Sequence, residues 1–451
     1  NKVKATISFM NYWMQKRGIE VDIVATLRDM GGETLLREKL DFVSGEVINY
    51  SPIINHNPFE GSVEIEAFSD EELYIPYAAI MALYEAENSI SLTHAYSRVY
   101  SDFEISSGDT IIDGEEGCWT IRDSKNVKSF CVIHAGKKTV EEQEVFLNVR
   151  NSLGDEKFCQ FILPEIKPYG TVKIFPSDCV ENLVEFLQEK PGSATLKFNL
   201  VDSFTRMLVC NESISTGELQ TAHSNFNYAT KYPGQVSSKG SATMLLPNFG
   251  TGREEVILYS DYMANTYDVM VDGCKITSLK DKKRKLFFVD CTSGEEISIT
   301  TSSGHVPKRF VTGFSSRYKE DKLPLEVSRG VRHNDEPVKR FWWGPVIKSK
   351  IYDSRIVLNP YEKYTDIKPA TKGVFKLFSQ SSKEPITHNY LSLPISEFKQ
   401  GVRLCDIFEG DVESFLDQSV GYFTFFSEFT YFDCLVIFER EDGSVAMEHC
   451  F

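Results

Sequence analysis

Imidazoles recur at the ends of apolar, strand-like segments, and no other residues in this chain are so well placed to do chemistry. His94 closes the segment MALYEAENSISLTHAY, His223 closes MLVCNESISTGELQTAHSNF and His449 closes LVIFEREDGSVAMEHCF. A fourth segment, LFFVDCTSGEEISITTSS, carries Thr301 at the matching place. Residues two apart on a strand share a face. Ile90 and Leu92 therefore lie with His94, Leu219 and Thr221 with His223, and Val445 and Met447 with His449. The apolar companions in the first and last copies mark that face as the inward one. An inward imidazole needs hydrogen-bond partners, because an unpaired buried polar group costs about 1–3 kcal/mol. One outcome is a core histidine bonded to nearby backbone, repeated because the segment is repeated. The other is a set of histidines converging where segments pack. Imidazole is the commonest metal ligand, and three protein ligands with an open position make a catalytic zinc-type site. No His-x-His, HExxH or Cys–His cluster supports that second outcome.

Polar residues gather near two of the histidines. Arg98, Glu104, Ser97 and Tyr100 follow His94, while Arg206, Asn211 and Asn225 surround His223. An arginine in a strand-rich segment is rarely buried unless a carboxylate pairs with it, so Arg98 with Glu104 reads as a structural ion pair. The same residues also allow a ligand pocket. An arginine fork donates two parallel hydrogen bonds to a carboxylate or phosphate, and His94, Arg98, Glu104, Arg206, Asn211 and His223 are the candidate ligand-binding residues. An enzyme built on these histidines, with Glu104 as acid–base group, is the alternative. The sequence assigns no metal ligand set and implies no particular cofactor. GxxxxGK[ST], GxGxxG after a strand and GxSxG are all absent, which removes the common nucleotide-binding and nucleophile-elbow signatures.

The elements that must hold these residues are strands. Each of the four histidine or threonine segments reads as a β-hairpin with acidic, Asn or Gly residues at its turn. Residues 145–162 alternate apolar and polar around a turn at 151–155 and form another. A longer repeat links residues 161–198 with 391–425. Both carry Leu-Pro (Leu163-Pro164, Leu393-Pro394), a Gly-to-Val step (Gly170 to Val172, Gly401-Val402), Phe-Leu after an acidic stretch (Phe186-Leu187, Phe415-Leu416) and then a glycine (Gly192, Gly421). Such duplication predicts an all-β chain of tandem antiparallel β-sandwich modules with little helix. The modules fall at 1–115, 116–230, 231–335 (smaller) and 336–451, the second and fourth being the closest pair. The architecture resembles immunoglobulin-like modules, although the Cys…Trp…Cys core of antibody domains is missing. Helices are expected at 177–189 and 411–418, where Ser or Asp precedes an acidic first turn.

Composition narrows the partners. With 41% hydrophobic and 25% charged residues among 451, the chain is an ordinary globular one, and its 32 Phe and 20 Tyr suit strands. A net charge of -16 repels phosphate backbones and anionic lipid, so nucleic acid is not expected as a partner. No apolar run reaches the ~20 residues needed to span a bilayer. Ten cysteines are scattered without a CxxC pair, mostly inside apolar runs, which points to reduced thiols and a cytoplasmic setting. The basic run at 280–285 is a solvated hairpin tip. Trp342 and Trp343 face opposite ways, one into a core and one toward a neighbouring module or a sugar. Residues 423–432 read as an aromatic strand pair buried on both sides. The expected function is a binding or structural protein, with a glycan or small anion held at the interface of the first two modules. Oligomers built through exposed sheet edges are the remaining partner.

Overall fold

The computed structural model describes residues 3–42, 45–54, 59–71, 80–94, 96–101, 104–105, 108, 110–226, 241–245, 254–259, 267–279, 286–291, 296–300, 310–316, 322–333, 340–360, 372–428, 430 and 432–451. Thr301 and the basic run at 280–285 lie outside them. The chain is all-β, with 56% strand and 9% helix in many small antiparallel sheets. It forms two compact units, one of Asn1–Val43 with Ile48–Phe226 and the other of Ser44–Val47 with Asn227–Phe451.

The first unit opens with β1 (Lys4–Met10), α1 (Tyr12–Arg17), β2 (Asp22–Asp29), β3 (Thr34–Leu40), β4 (Val47–Tyr50), β5 (Gly61–Phe68), β6 (Met81–Ala86) and β7 (Ser89–Thr93). They make two sheets, ordered β4-β1-β6-β7 and β3-β2-β5. Phe9, Trp13, Ile23, Ala25 and Leu27 fill the space between them. There follow β8 (Tyr96–Val99), β9 (Ile112–Ile121), β10 (Val127–His134), β11 (Gln143–Arg150), β12 (Glu156–Leu163), β13 (Thr171–Ile174), α2 (Pro176–Cys179), α3 (Leu183–Leu187), β14 (Gly192–Val201), β15 (Ser203–Arg206), β16 (Leu208–Ser213), β17 (Leu219–His223) and β18 (Asn225–Phe226). These pair as β12-β11-β14-β9-β18, β13-β10-β16-β17 and the ribbon β15-β8. Val145, Leu147 and Val149 alternate inward on β11, Ala194, Leu196, Phe198 and Leu200 on β14, and all meet Cys131 and Ile133 of the facing sheet. Alternation of this kind is what a half-buried strand requires.

The second unit holds β19 (Ser241–Leu245), β20 (Glu254–Tyr259), β21 (Tyr267–Val271), β22 (Cys274–Leu279), β23 (Leu286–Cys291), β24 (Glu296–Thr300), β25 (Phe310–Ser316) and β26 (Leu325–His333), joined as one sheet, β22-β21-β24-β19-β26-β25-β20-β23. After it come β27 (Phe341–Ile347), β28 (Tyr352–Pro360), β29 (Gly373–Phe378), β30 (Ile386–Tyr390), α4 (Ile395–Gln400), β31 (Val402–Arg403), α5 (Leu404–Ile407), α6 (Val412–Leu416), β32 (Val420–Ser427), β33 (Phe432–Arg440) and β34 (Val445–His449). Their sheets are β27-β32-β29-β30 and β31-β28-β33-β34. Read from its other edge, the first of these runs β30-β29-β32-β27, the order of β12-β11-β14-β9. The second matches β13-β10-β16-β17 strand for strand.

Equivalent glycines mark the match. A Cβ on Gly192 would lie 2.5 Å from the Leu187 side chain and 2.6 Å from the Arg150 carbonyl oxygen. A Cβ on Gly421 would lie 2.4 Å from the Leu416 side chain and 2.6 Å from the Phe378 carbonyl oxygen. In both places the helix end crosses the strand so closely that only hydrogen fits. The Phe-Leu-then-glycine pattern is the imprint of that crossing.

Four expectations change. Residues 177–189 form two short helices, because Val180 is extended and Asn182 is left-handed. Val180, Leu183 and Leu187 all enter the core, so the chain follows the sheet instead of one helix axis. Around 411–418 the helix is present, and the Asp411 carboxylate accepts from the Ser414 amide as an N-cap. The segment LFFVDCTSGEEISITTSS is not a hairpin: β23 pairs with β20, and β24 pairs with β19 and β21. The strands β32 and β33 likewise belong to different sheets. Trp342 and Trp343 are both buried, which leaves neither face for a sugar.

Candidate functional site at the seam of the first unit

The hairpins β6–β7 and β16–β17 each end in an edge strand, and an uncovered edge invites unwanted pairing. Here the two edges cover each other through side chains. The Ser89 hydroxyl accepts from the Leu219 amide at 2.9 Å, and the Ser91 hydroxyl accepts from the Thr221 amide at 2.8 Å. Ser91 and Thr221 hydroxyls also meet at 2.6 Å, and the Gln220 amide donates to the Ile90 carbonyl at 3.4 Å. Nearby, the Thr171 amide donates to the Met30 carbonyl at 2.9 Å, Arg28 lies over the Tyr169 ring at 4.0 Å, and Lys173 pairs with Glu60.

Gly32 permits this docking. Its φ of +89° suits glycine, and a Cβ there would lie 2.2 Å from the Pro168 carbonyl oxygen. Gly32→Ala is expected to destabilise the first unit by about 2 kcal/mol through overpacking and left-handed strain. Hydrogen exchange in residues 28–34 and 167–171 checks it; unchanged protection in both segments would show that the close approach is not needed.

The seam ends at the histidines. His94 follows β7 directly, and His223 is the last residue of β17. Beyond His223 the chain changes sheets: Ser224 turns, and Asn225 pairs with Cys118 of β9. In the second unit, the chain after His449 makes the same change, and Phe451 exchanges backbone hydrogen bonds with Trp343 of β27. The His223 Nδ1–H donates to the Ser224 carbonyl at 2.8 Å, and the His449 Nδ1–H donates to the Cys450 carbonyl at 3.3 Å. Each imidazole thus fastens the corner at which its strand leaves one sheet for the other.

His94 has a different partner. Its Nε2 accepts from Arg206 Nη1 at 3.0 Å. Arginine only donates, so the His94 proton sits on Nδ1, and the neutral ring is held in one tautomer. Burial, reinforced by the Arg206 charge, holds the His94 pKa well below its ordinary value. The rings of His94 and His223 meet edge-on with centroids 4.4 Å apart, and a nitrogen of each lies within 4.8 Å of one on the other. Those two imidazoles could supply two ligands to a metal ion. Arg206 opposes such an ion by its charge and already occupies one His94 nitrogen.

Three of the six candidate residues, His94, Arg206 and His223, therefore meet. Arg98 is engaged with Glu104 at 2.7 Å and lies over the Tyr100 ring at 4.9 Å. Burial alone would raise the Glu104 pKa, but hydrogen bonds from Ser101 and Arg98 and the Arg98 charge bring it below the usual range. A carboxylate so held is a poor proton donor near neutrality. The Asn211 side chain accepts from the Ser129 hydroxyl at 2.8 Å, across the β10–β16 pair. The residues that sequence reasoning missed are Ser89, Ser91, Thr221 and Gly32. The alternation of Ser89, Ser91 and Thr93 with Ile90 and Leu92 is the signal that could have shown a second, polar buried face.

Known proteins add little to this geometry. No family model matches the chain, and no curated protein matches it. A solved structure described as "Biofilm associated protein - BSP domain" aligns over 100% of this chain and 90% of its own at 7% identity, with a TM-score of 0.17, which carries no argument about fold or function.

Proposed function

We propose that the chain is a binding or structural protein of tandem β-sandwich modules, with a small anion or acidic glycan as its ligand at the seam of the first two. The observation that carries this reading is the Arg206–His94–His223 cluster at the end of a hydrogen-bonded seam. Arg206 is half-buried and is aligned by a neutral imidazole, as a preformed anion site requires. Four modules of immunoglobulin-like type, bounded near 115, 230 and 335 and arising by duplication, fit the repeated strand order and the paired glycines. Scattered single thiols support a reducing, cytoplasmic setting. Among the described residues, no helix is long and apolar enough to cross a membrane.

Calorimetric titration of the whole protein with inorganic phosphate and with uronic-acid oligosaccharides tests the binding role. Binding that falls at least tenfold in Arg206→Gln, with the fold retained, supports it. No binding in either protein leaves only the structural role. A metal-dependent enzyme is the second reading, favoured by the nearness of the two imidazoles. Elemental analysis separates the two: about one zinc, iron or copper per chain, lost in His223→Ala, would replace the anion site with a metal centre.

A further inference from the structure

We propose that Cys159 and Cys179 are a redox-sensitive pair that closes to a disulfide on exposure to a small disulfide oxidant, stapling the edge strand β12 to the end of α2. The inference is independent of the binding reading. Cys159 Sγ lies 2.7 Å from the Cys179 carbonyl oxygen. Bond lengths then keep the two Cα atoms within about 8 Å of each other, so a small movement of the helix end reaches bridging distance. That movement is available, because Cys179 is the last residue of α2 and the next residue, Val180, is already extended. Both thiols are half-buried, whereas Cys118, Cys131, Cys210, Cys434 and Cys450 are buried.

The chemistry is thiol–disulfide exchange. The Cys159 thiolate attacks one sulfur of the oxidant, forming a mixed disulfide and releasing one thiol. The Cys179 thiolate then attacks the Cys159 sulfur, the Cys159–Cys179 bond forms, and the second thiol leaves. Two protein protons end on the two released thiols, and the oxidant has been reduced by two electrons. Burial, with the neighbouring Cys159 and Asp178, pushes the Cys179 thiol up to about 11. Cys179 is therefore the slower nucleophile and attacks second, once the mixed disulfide is held beside it.

The test treats the native full chain with oxidised glutathione, blocks remaining thiols with N-ethylmaleimide and digests it with trypsin. Cross-linked peptides beginning at Phe158 and Ile174 are expected, and dithiothreitol should reverse the link. Closing a loop of this length should raise Tm by about 5 °C. Cys179→Ser should stop at a glutathione adduct on Cys159, and Cys131→Ser should form the same bridge as the parent. Full alkylation of both residues after prolonged oxidation overturns the proposal, as does a Cys131–Cys179 link. Serine variants are accepted only if their near-ultraviolet circular dichroism matches the parent.

Discussion

Phe375→Ala is expected to lower the stability of the second unit by about 4 kcal/mol, the cost of a large buried aromatic together with the cavity it leaves. Phe375 is fully buried on β29. Its ring stacks on Phe398 at 5.3 Å and Phe425 lies 4.5 Å away, with Tyr390, Phe408 and Phe423 at 5.9, 6.4 and 6.4 Å. Those partners come from β30, α4, β32 and the segment after α5, so one ring joins the sheet to the helices that cross above it. Collapse into the void is limited, because Phe398, Phe408, Phe423 and Phe425 are themselves fully buried. Leu147 stands at the corresponding place on β11, three residues before Arg150 as Phe375 is three before Phe378. Urea titration read by hydrogen exchange in β29 and β32 measures the loss. A cost below about 1 kcal/mol would mean that the surrounding rings close the gap.

The fold class was legible because it rests on local pattern. Alternation along β11 and β12, broken at 151–155, gives the hairpin directly, and the register Arg150↔Glu156 closes that turn. The Phe-Leu-then-glycine signature recurs because close contact leaves no room for a Cβ at Gly192 and Gly421. What failed was pairing over distance. β23 and β24 look like a hairpin from their alternation and the Thr-Ser-Gly between them, yet the partners of each lie elsewhere in the eight-stranded sheet. By strand order the counterpart of β16–β17 and β33–β34 is β25–β26, which ends at His333. Thr301, expected to be the fourth position, lies outside the described residues. A histidine ends, or directly follows, each of the edge or edge-equivalent strands β7, β17, β26 and β34, and only topology makes that visible. The site was half legible for the same reason. Arg98 and Glu104 are close in sequence and do pair, whereas Arg206 reaches His94 across 112 positions.

Acidification should weaken the first unit well before its carboxylates protonate in number. His134 ends β10, and its Nδ1 lies 2.8 Å from the Thr171 hydroxyl. Burial lowers its pKa from 6.5 to about 4, and His94 is also held well below its ordinary value by burial and by Arg206. In the unfolded chain both return to near 6.5. Below that pH the unfolded state binds protons that the folded state refuses, so stability falls as pH falls. It is complete above pH 6.5, and His134 contributes a slope of at most about 1.4 kcal/mol per pH unit. For His134 the slope ends near pH 4, where the folded ring also accepts its proton. Asp123 works in the opposite sense, since burial raises its carboxyl and protonation then favours the fold. Glu104 and Asp202, held low by Arg98 and Lys138, lose their contributions only at still lower pH. Glu66 is raised by burial and works in the same sense as Asp123, so the difference between the parent and a histidine variant, and not the parent's slope alone, reports the histidine. Over the window from pH 6.5 to 5 His134 alone should account for about 1.6 kcal/mol of the parent's loss, and His134→Gln, which keeps a donor for Thr171, should lack that share. Urea titrations at pH 7, 6 and 5 on both proteins decide the matter. Equal slopes would mean that His134 takes up its proton in the folded state, without first losing its place beside Thr171.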